Sequence, residues 1–573
     1  MKKVFSVVLS ASMLIGMVGC SSGETSDKVD LTVSEAAANT YVYDAAADGF
    51  ESIYSNVLTP QYYVFAGMKT EEEAEALIQD LDMMDNIQKW ASAIQVITPL
   101  DGKAYTEKDK DAFIGSIVAA SNVKVIGIDE GADFVNTYLA PNSYFIAGIM
   151  TYNGTMGEGT ELGAPVPAYL SNADDAAVEY YVKANEAEES EDGVYVNADN
   201  ELQKVVVKED EDLASAFDNA WDTVFSKNYR QDNEDTEFYM SAAAVNTKPY
   251  GLIGIADMDA LNMEYNPHIS EEVEGLDGKY TWFEYIPKDT LEAEDGTVPL
   301  VISLHGNGND ARIQGDTSGW VELAAKEGFM VMAPEWQEEV LANDGGDEPG
   351  PNFFNCDGLL DDKLITWLEA MEKTYPQIDT SRIYVTGLSA GGSKAALYGV
   401  MYSDVFAGAA SVSAPGIDKD ALADLVKDYD GPQTPWLYVA GDHDFFGILP
   451  VDGSSTNSFQ VDKGVYIQQV DPNTSIFSFI QSYQKVNGFE VADNYDMSLN
   501  PFFGVKLENQ QTIDLDGKET LEGVLTNENG EMIKLAAIKD QAHWNYKPEA
   551  EYIWNFWKGY SRNTETGALE VNK

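Results

Sequence analysis

Along most of the chain, short apolar runs alternate with longer stretches whose apolar positions recur every three or four residues. The runs "QYYVFAG" (61–67), "AIQVITPLDG", "VKVIGIDEG" and "YFIAGIMTYNG" predict strands. The intervening "TEEEAEALIQDLDMMDNIQKWA" and "TEKDKDAFIGSIVAAS" predict helices. The amphipathic spacing of "LASAFDNAWDTVFSKNYR" (213–230) predicts a helix that closes this half. From about Tyr250 the plan repeats on a larger scale. "GKYTWFEYIP", "VPLVISLHG", "GFMVMAPEW", "RIYVTGLSAGG", "FAGAASVSAP" and "TPWLYVAGDHD" read as strands, "MIKLAAIKDQAHW" as the last strand and "AEYIWNFWKGYSRN" as the last helix. Repeated strand-then-helix units imply a mainly parallel sheet covered on both faces, hence an α/β class. The acidic stretch between Glu186 and Leu213 predicts an irregular, exposed excursion.

The halves match each other in order. At a constant offset of 260, Val125, Gly127, Gly131, Tyr138, Ser143, Ala147 and Gly148 meet identical residues at Val385, Gly387, Gly391, Tyr398, Ser403, Ala407 and Gly408. Both closing helices carry a Trp and a Phe followed by a Tyr and an Arg. A duplication explains the common order better than chance does. Unrelated strand orders in the two halves would refute it.

Composition narrows the partners. A length of 573 residues implies two or three domains, and 44% apolar residues are enough to build their cores. A formal charge of -62, from 97 acidic and 35 basic residues, excludes nucleic acid and anionic membrane surfaces as partners. At the N-terminus Lys2 and Lys3 precede an apolar run from Val4 to Val18, too short for a span and placed as a secretion signal. It ends in "MVGC", which resembles the lipobox of bacterial lipoproteins and makes Cys20 the expected lipidation site. Residues 1–20 are then the signal peptide and 21–40 a polar tether, with the membrane reached only through the lipid at Cys20. Cys356 is the one remaining cysteine, so neither an intramolecular disulfide nor a Cys-based metal site is expected.

The chemistry centres on "RIYVTGLSAGGSKAALYGVMY": a β-branched run, a Gly-x-Ser-x-Gly turn and an Ala/Leu-rich helix. In that setting a tight turn lifts a serine Oγ above the sheet, and the glycines keep neighbouring side chains out of the turn. Ser389 is therefore the candidate nucleophile. Such a serine needs a base and a group to orient it. All four histidines (His268, His305, His443, His543) lie in the second half, and His543 follows the last predicted strand. Asp442 and Asp444, after "YVAG", are the candidate acids, and Ser, Asp, His is the chain order of an α/β-hydrolase sheet. His305 and His443 read as structural neighbours of the site. The strand "LVISLHGNGND" delivers backbone N–H groups, so Gly306 or Asn307 can pair with the N–H of Ala390 to hold an oxyanion. The same loop fits a dinucleotide fingerprint, Gly306-x-Gly308-x-x-Ala311, a reading that leaves Ser389 and His543 without a role. "GIDEGA" (127–132) has the spacing of the elbow with Asp129 in the serine's place, in a half without histidine.

Together these pieces resemble the α/β-hydrolase branch that contains poly(3-hydroxybutyrate) depolymerase-like and feruloyl esterases. The likeness covers roughly 275–560 and rests on "PLVISLHGNGND", Asp361-Asp362, "SRIYVTGLSAGGSKAALYGVMYSDVFAGAASVSAPG", "AGDHD" and "AHW". Taken with the match between the halves and the absence of histidine from the first, it implies tandem α/β-hydrolase-like domains with mainly parallel sheets covered by helices. A degenerate domain would occupy residues 41–245 and a catalytic domain residues 246–573, the two packing together. In the family the acid lies three residues after a strand-closing Gly, which selects Asp444 over Asp442. The implied activity is hydrolysis of carboxylic esters (feruloyl, acetyl or hydroxyalkanoate, small or polymeric) by Ser389, Asp444 and His543, with no cofactor or metal. Departures are "AGDHD" where a His-Gly pair is commoner, an insertion at 446–475 and a strand-rich excursion at 503–535. These last two are expected to form the substrate cleft. Two other readings are a prolyl oligopeptidase-type serine peptidase and a non-catalytic surface solute-binding lipoprotein.

Overall fold

The computed structural model describes residues 30–33, 39–44, 60–86, 92–117, 122–231, 251–306, 311–336, 360–442, 444, 449 and 476–571. Cys20, Cys356, Asn307, His443 and nearly all of the 446–475 insertion lie outside them. The chain divides into two compact units, one of residues 1–232 with 239–255 and one of 256–573 with 233–238.

The first unit builds a ten-stranded sheet from β1 (Asp30–Val33), β2 (Thr40–Asp44), β3 (Gln61–Phe65), β4 (Ala93–Ile97), β5 (Val123–Ile128), β6 (Ile146–Tyr152), β7 (Ala168–Ser171), β8 (Glu188–Glu191), β9 (Val194–Val196) and β10 (Lys204–Lys208). Their order across the sheet is β1-β2-β4-β3-β5-β6-β7-β10-β9-β8. The strands from β4 to β10 in that order run parallel, with antiparallel strands at both edges. Alternate side chains feed two cores, as the pleat requires. Tyr63, Phe65, Val125 and Ile149 join one; Tyr62, Val64, Ile126 and Met150 join the other. A two-stranded ribbon, β11 (Asn228–Gln231) with β12 (Gly251–Gly254), completes the unit.

The second unit contributes β13 (Met263–Glu271), β14 (Tyr280–Pro287), β15 (Val298–Leu304), β16 (Met330–Pro334), β17 (Ile378–Leu388), β18 (Phe406–Val412), β19 (Trp436–Gly441), β20 (Glu508–Leu515), β21 (Lys518–Asn527) and β22 (Gly530–Ile538). Its order is β13-β14-β16-β15-β17-β18-β19-β22-β21-β20, which is the first order with 12 added to every strand number. Each pairing keeps its direction. A second ribbon, β23 (Tyr560–Arg562) with β24 (Leu569–Val571), again follows. The central strands β15, β18 and β19 are buried along their whole length, which is why they read as unbroken apolar runs.

Side chains repeat as well. Arg230 Nε donates to the carbonyl of Ile146 at 2.6 Å, and Arg562 Nε to that of Phe406 at 2.8 Å. Ile146 and Phe406 open β6 and β18. The other arm of each guanidinium reaches Pro165 O and Gln433 O respectively. Lys124 Nζ donates to Asn228 O at 2.8 Å, and Tyr384, 260 positions on, donates to Tyr560 O at 2.7 Å. The two units are copies of one fold.

Residues 503–535 are strand-rich as expected: they supply β20, β21 and the start of β22, which extend the second sheet. Two expectations need correction. The stretch from Glu186 to Leu213 is not irregular: it holds β8, β9 and β10 and finishes the sheet. The helix predicted over 213–230 ends at Thr223, and Asn228–Gln231 is strand.

Candidate active site

Ser389 follows β17 and precedes the helix Ala390–Met401, with φ 56° and ψ −119°. A non-glycine residue held there stores roughly 1–3 kcal/mol of strain, which the surrounding structure must overcome. The restraints are visible. The Ser389 N–H donates to Val412 O on β18 at 2.8 Å, and Ser393 N–H donates to Ser389 O at 3.0 Å. A Cβ on Gly391 would lie 2.3 Å from His305 O and 2.4 Å from Leu304 O, so only glycine lets the helix start this close to β15.

Asp444 follows β19 and His543 follows β22, so both stand at the same carboxyl edge of the sheet as Ser389. His543 Nδ1 and Asp444 Oδ2 are 2.6 Å apart, and both residues are buried, at 5% and 1% exposure. Asp442 is used differently. Its Oδ1 accepts the N–H of Asp540 at 2.7 Å, tying the end of β19 to the turn after β22. Gly306 and Ala390 flank the elbow from β15 and from the helix N-terminus, where backbone N–H groups and the helix dipole favour negative charge.

His305 is buried and pairs through Nε2 with Glu335 Oε1. Glu335 Oε2 also accepts the N–H of Ala311 at 3.3 Å, and Trp336 Nε1 donates to His305 O at 2.9 Å. Asp361 braces the helix that follows Ser389: its Oδ1 accepts from Tyr398 at 2.6 Å and its Oδ2 lies 3.3 Å from Lys394 Nζ. Lys394 is 2% exposed, and a charge that deep needs such a partner. The sequence reading missed Glu335. A carboxylate directly after a fully buried strand was its only signal. His268 lies away from this group, on β13, stacked on Trp282 and paired with Glu271 and Glu284.

The first unit holds the same turn without the chemistry. Asp129 has φ 51° and ψ −118°, and its N–H donates to Tyr152 O at 2.9 Å. A Cβ on Gly131 would lie 1.8 Å from Phe65 O. Asn172 Oδ1 accepts the N–H of Asp210 at 2.9 Å, as Asp442 does from Asp540. Counting on from those pairs, Asp174 stands where Asp444 does and Leu213 where His543 does. Asp174 caps the helix Asp175–Ala184 through Ala177 N–H at 2.8 Å. Ala66 and Gly67 follow β3 as His305 and Gly306 follow β15. Their N–H groups donate to the Tyr105 hydroxyl at 3.2 and 3.0 Å. Glu130 covers Gly67 so closely that a Cβ there would meet its Oε1 at 1.8 Å. Where an oxyanion would sit, the first unit is plugged.

No protein-family model matches the chain. In sequence it is 27% identical over 247 residues to poly(3-hydroxyalkanoate) depolymerase C of Paucimonas lemoignei, covering 39% of this chain and 58% of that one. It is 35% identical over 95 residues to the bifunctional acetylxylan esterase/xylanase of Neocallimastix patriciarum, covering 16% of this chain and 12% of that one. The resemblance read from the elbow is matched by these relatives. The chain thus spans little more than half of the depolymerase and a small part of the second relative. Among solved structures, the acetyl xylan esterase from Aspergillus awamori is 14% identical, with a TM-score of 0.32, covering 51% of this chain and 99% of that one. No helix among the described residues is long and apolar enough to cross a membrane.

Proposed function

We propose that the protein is a serine hydrolase of carboxylic esters, with Ser389 as nucleophile, His543 as general base and Asp444 as its orienting acid. The observation that carries this reading is the 2.6 Å contact between buried His543 Nδ1 and Asp444 Oδ2, at the sheet edge where Ser389 is held in a strained turn. Nδ1–H directed at Asp444 leaves Nε2 unprotonated to take the Ser389 proton as Oγ attacks the ester carbonyl. The tetrahedral oxyanion is held by the N–H of Ala390 with that of Gly306 or Asn307, a contribution of about 2.7–4 kcal/mol per donor. The imidazolium then protonates the departing alcohol, and water, activated by the same ring, releases the acid from the acyl-enzyme. The relatives matched in sequence support acetyl or hydroxyalkanoate esters, including polymeric ones, as the substrate class, and the resemblance of the elbow stretch adds feruloyl esters.

Ser389→Ala abolishes hydrolysis of p-nitrophenyl acetate and labelling by a fluorophosphonate, with the circular dichroism spectrum unchanged. A variant that still turns over at the parent rate refutes the assignment. From the N-terminal apolar run ending in "MVGC" we further propose an exported lipoprotein, anchored to the outer face of the cell membrane through Cys20. Cys20→Ser then loses incorporation of labelled palmitate, and retained label overturns the anchor.

A further inference from the structure

His543 sits in the segment Gln541–Asn545, which is neither helix nor strand and is buried at every position. Irregular backbone in a dry interior must find partners for its own polar groups. Gln541 supplies two of them. Its Nε2 donates to Ala542 O at 3.2 Å and to Trp544 O at 3.3 Å, the carbonyls on either side of His543, while its Oε1 accepts from Lys518 Nζ at 2.9 Å. Asn545 holds the far end. Its Nδ2 donates to Gln314 Oε1 at 3.2 Å and to Thr317 Oγ1 at 3.0 Å. Gln314 Nε2 in turn donates to Ser303 Oγ at 3.1 Å. Ser303, Gln314 and Thr317 are 0%, 2% and 1% exposed. Ser303 lies on β15, two residues before His305, and the other two lie on the helix Ala311–Thr317.

The contact with Asp444 fixes the tautomer and tilt of the ring, but nothing in it fixes the backbone that carries the ring. We propose that Gln541 and Asn545 are positioning residues for His543. Two side-chain amides hold the loop of the base and lock it to the strand that delivers the oxyanion N–H groups. This rests on His543 being the base. The first unit supplies an internal control. Glu211 occupies the position of Gln541 there, one residue after Asp210 as Gln541 follows Asp540. As a carboxylate it accepts hydrogen bonds from Tyr169, Ser171 and Asn219 and donates none. Counting on in the same way, Asn545 meets Ser215, which already lies in the helix Leu213–Thr223, where its N–H donates to Asp212 Oδ1 at 2.9 Å. The amide pair is found with the histidine and is absent from the copy without one.

The test compares Gln541→Met and Asn545→Leu, which keep volume, and Thr317→Val, a milder deletion of one acceptor. The full-length protein is assayed with p-nitrophenyl acetate, and competent sites are counted by fluorophosphonate titration. A ring misplaced by about 1 Å costs about 100-fold in rate. The first two variants are therefore expected to lose kcat on that scale per titrated site, with KM within twofold and the acidic limb of the kcat/KM profile displaced. Thr317→Val loses a few-fold. Wild-type kcat per titrated site in Asn545→Leu and Gln541→Met overturns the proposal, as does a loss accounted for wholly by fewer titrated sites. If Asn545→Leu does not fold, Thr317→Val with unchanged kcat and pH profile overturns it in its place. Ser389→Ala separates the two levels: activity surviving in that variant removes the catalytic reading itself, whereas its loss beside unaffected amide variants removes only this inference.

Discussion

Asp129, at φ 51° and ψ −118°, and Ser389, at φ 56° and ψ −119°, occupy the same turn in two copies of one fold. Around Ser389 the neighbouring positions carry Asp444, His543 and a glycine loop. Around Asp129 they carry a helix cap, a leucine and a loop whose N–H groups are taken by Tyr105. The backbone strain survives where no reaction is proposed. The turn is therefore a property of the fold, imposed by packing a helix start against the central strand, and the chemistry is an addition to it. A strained φ alone would have marked both sites as active.

Paired substitutions can break this comparison. Asp444→Asn is expected to reduce kcat roughly 10⁴-fold, because His543 then takes the wrong tautomer. Its counterpart Asp174→Ala removes a helix cap and a long hydrogen bond from the Met156 N–H, costs about 1–2 kcal/mol in stability and leaves kcat unchanged. A fall in turnover from Asp174→Ala would mean that the first unit shares in the reaction. Turnover of p-nitrophenyl acetate and thermal unfolding read both effects. Smaller shifts sharpen the comparison. Ser389→Gly relieves the turn and is expected to stabilise its unit by about 1 kcal/mol, net of the entropy that glycine adds to the unfolded chain. Asp129→Gly gains less, because the 2.9 Å hydrogen bond from Asn153 Nδ2 to Asp129 Oδ1 is lost with the side chain. Denaturant midpoints for the two variants measure the strain directly, and an unchanged midpoint for Ser389→Gly would show that the turn is not strained.

Much of this was legible because strands buried on both faces leave continuous apolar runs, and site residues follow such runs at once. β15, β17, β18 and β19 were readable that way, and so were the positions of Ser389 and His543 at strand ends. Asp442 and Asp444 follow the same strand, and pattern alone could not divide them. In the fold one takes the N–H of Asp540 and the other the ring of His543. The strands hardest to read have exposed faces. β8, "EESE", is exposed at all four positions and lies in the stretch expected to be irregular, and β20, within the strand-rich stretch, is exposed at most of its length. They form because hairpin turns such as Asp516-Gly517, with φ of 50° and 88°, return each strand onto a partner. β13 contains Pro267 at the sheet edge, a place that tolerates the missing donor but hides the strand from a propensity reading. Tyr105 and Glu335 act through contacts 38 and 30 residues along the chain from Gly67 and His305, and no local period encodes such contacts.

The arginines at the opposite rim divide the fold into two kinds of edge. Arg230 and Arg562 grip the first residues of β6 and β18, the ends farthest from the elbows, and reach equivalent carbonyls. One rim is the same in both copies and behaves as chassis; the other, with a histidine in one copy and none in its counterpart, behaves as interchangeable fitting.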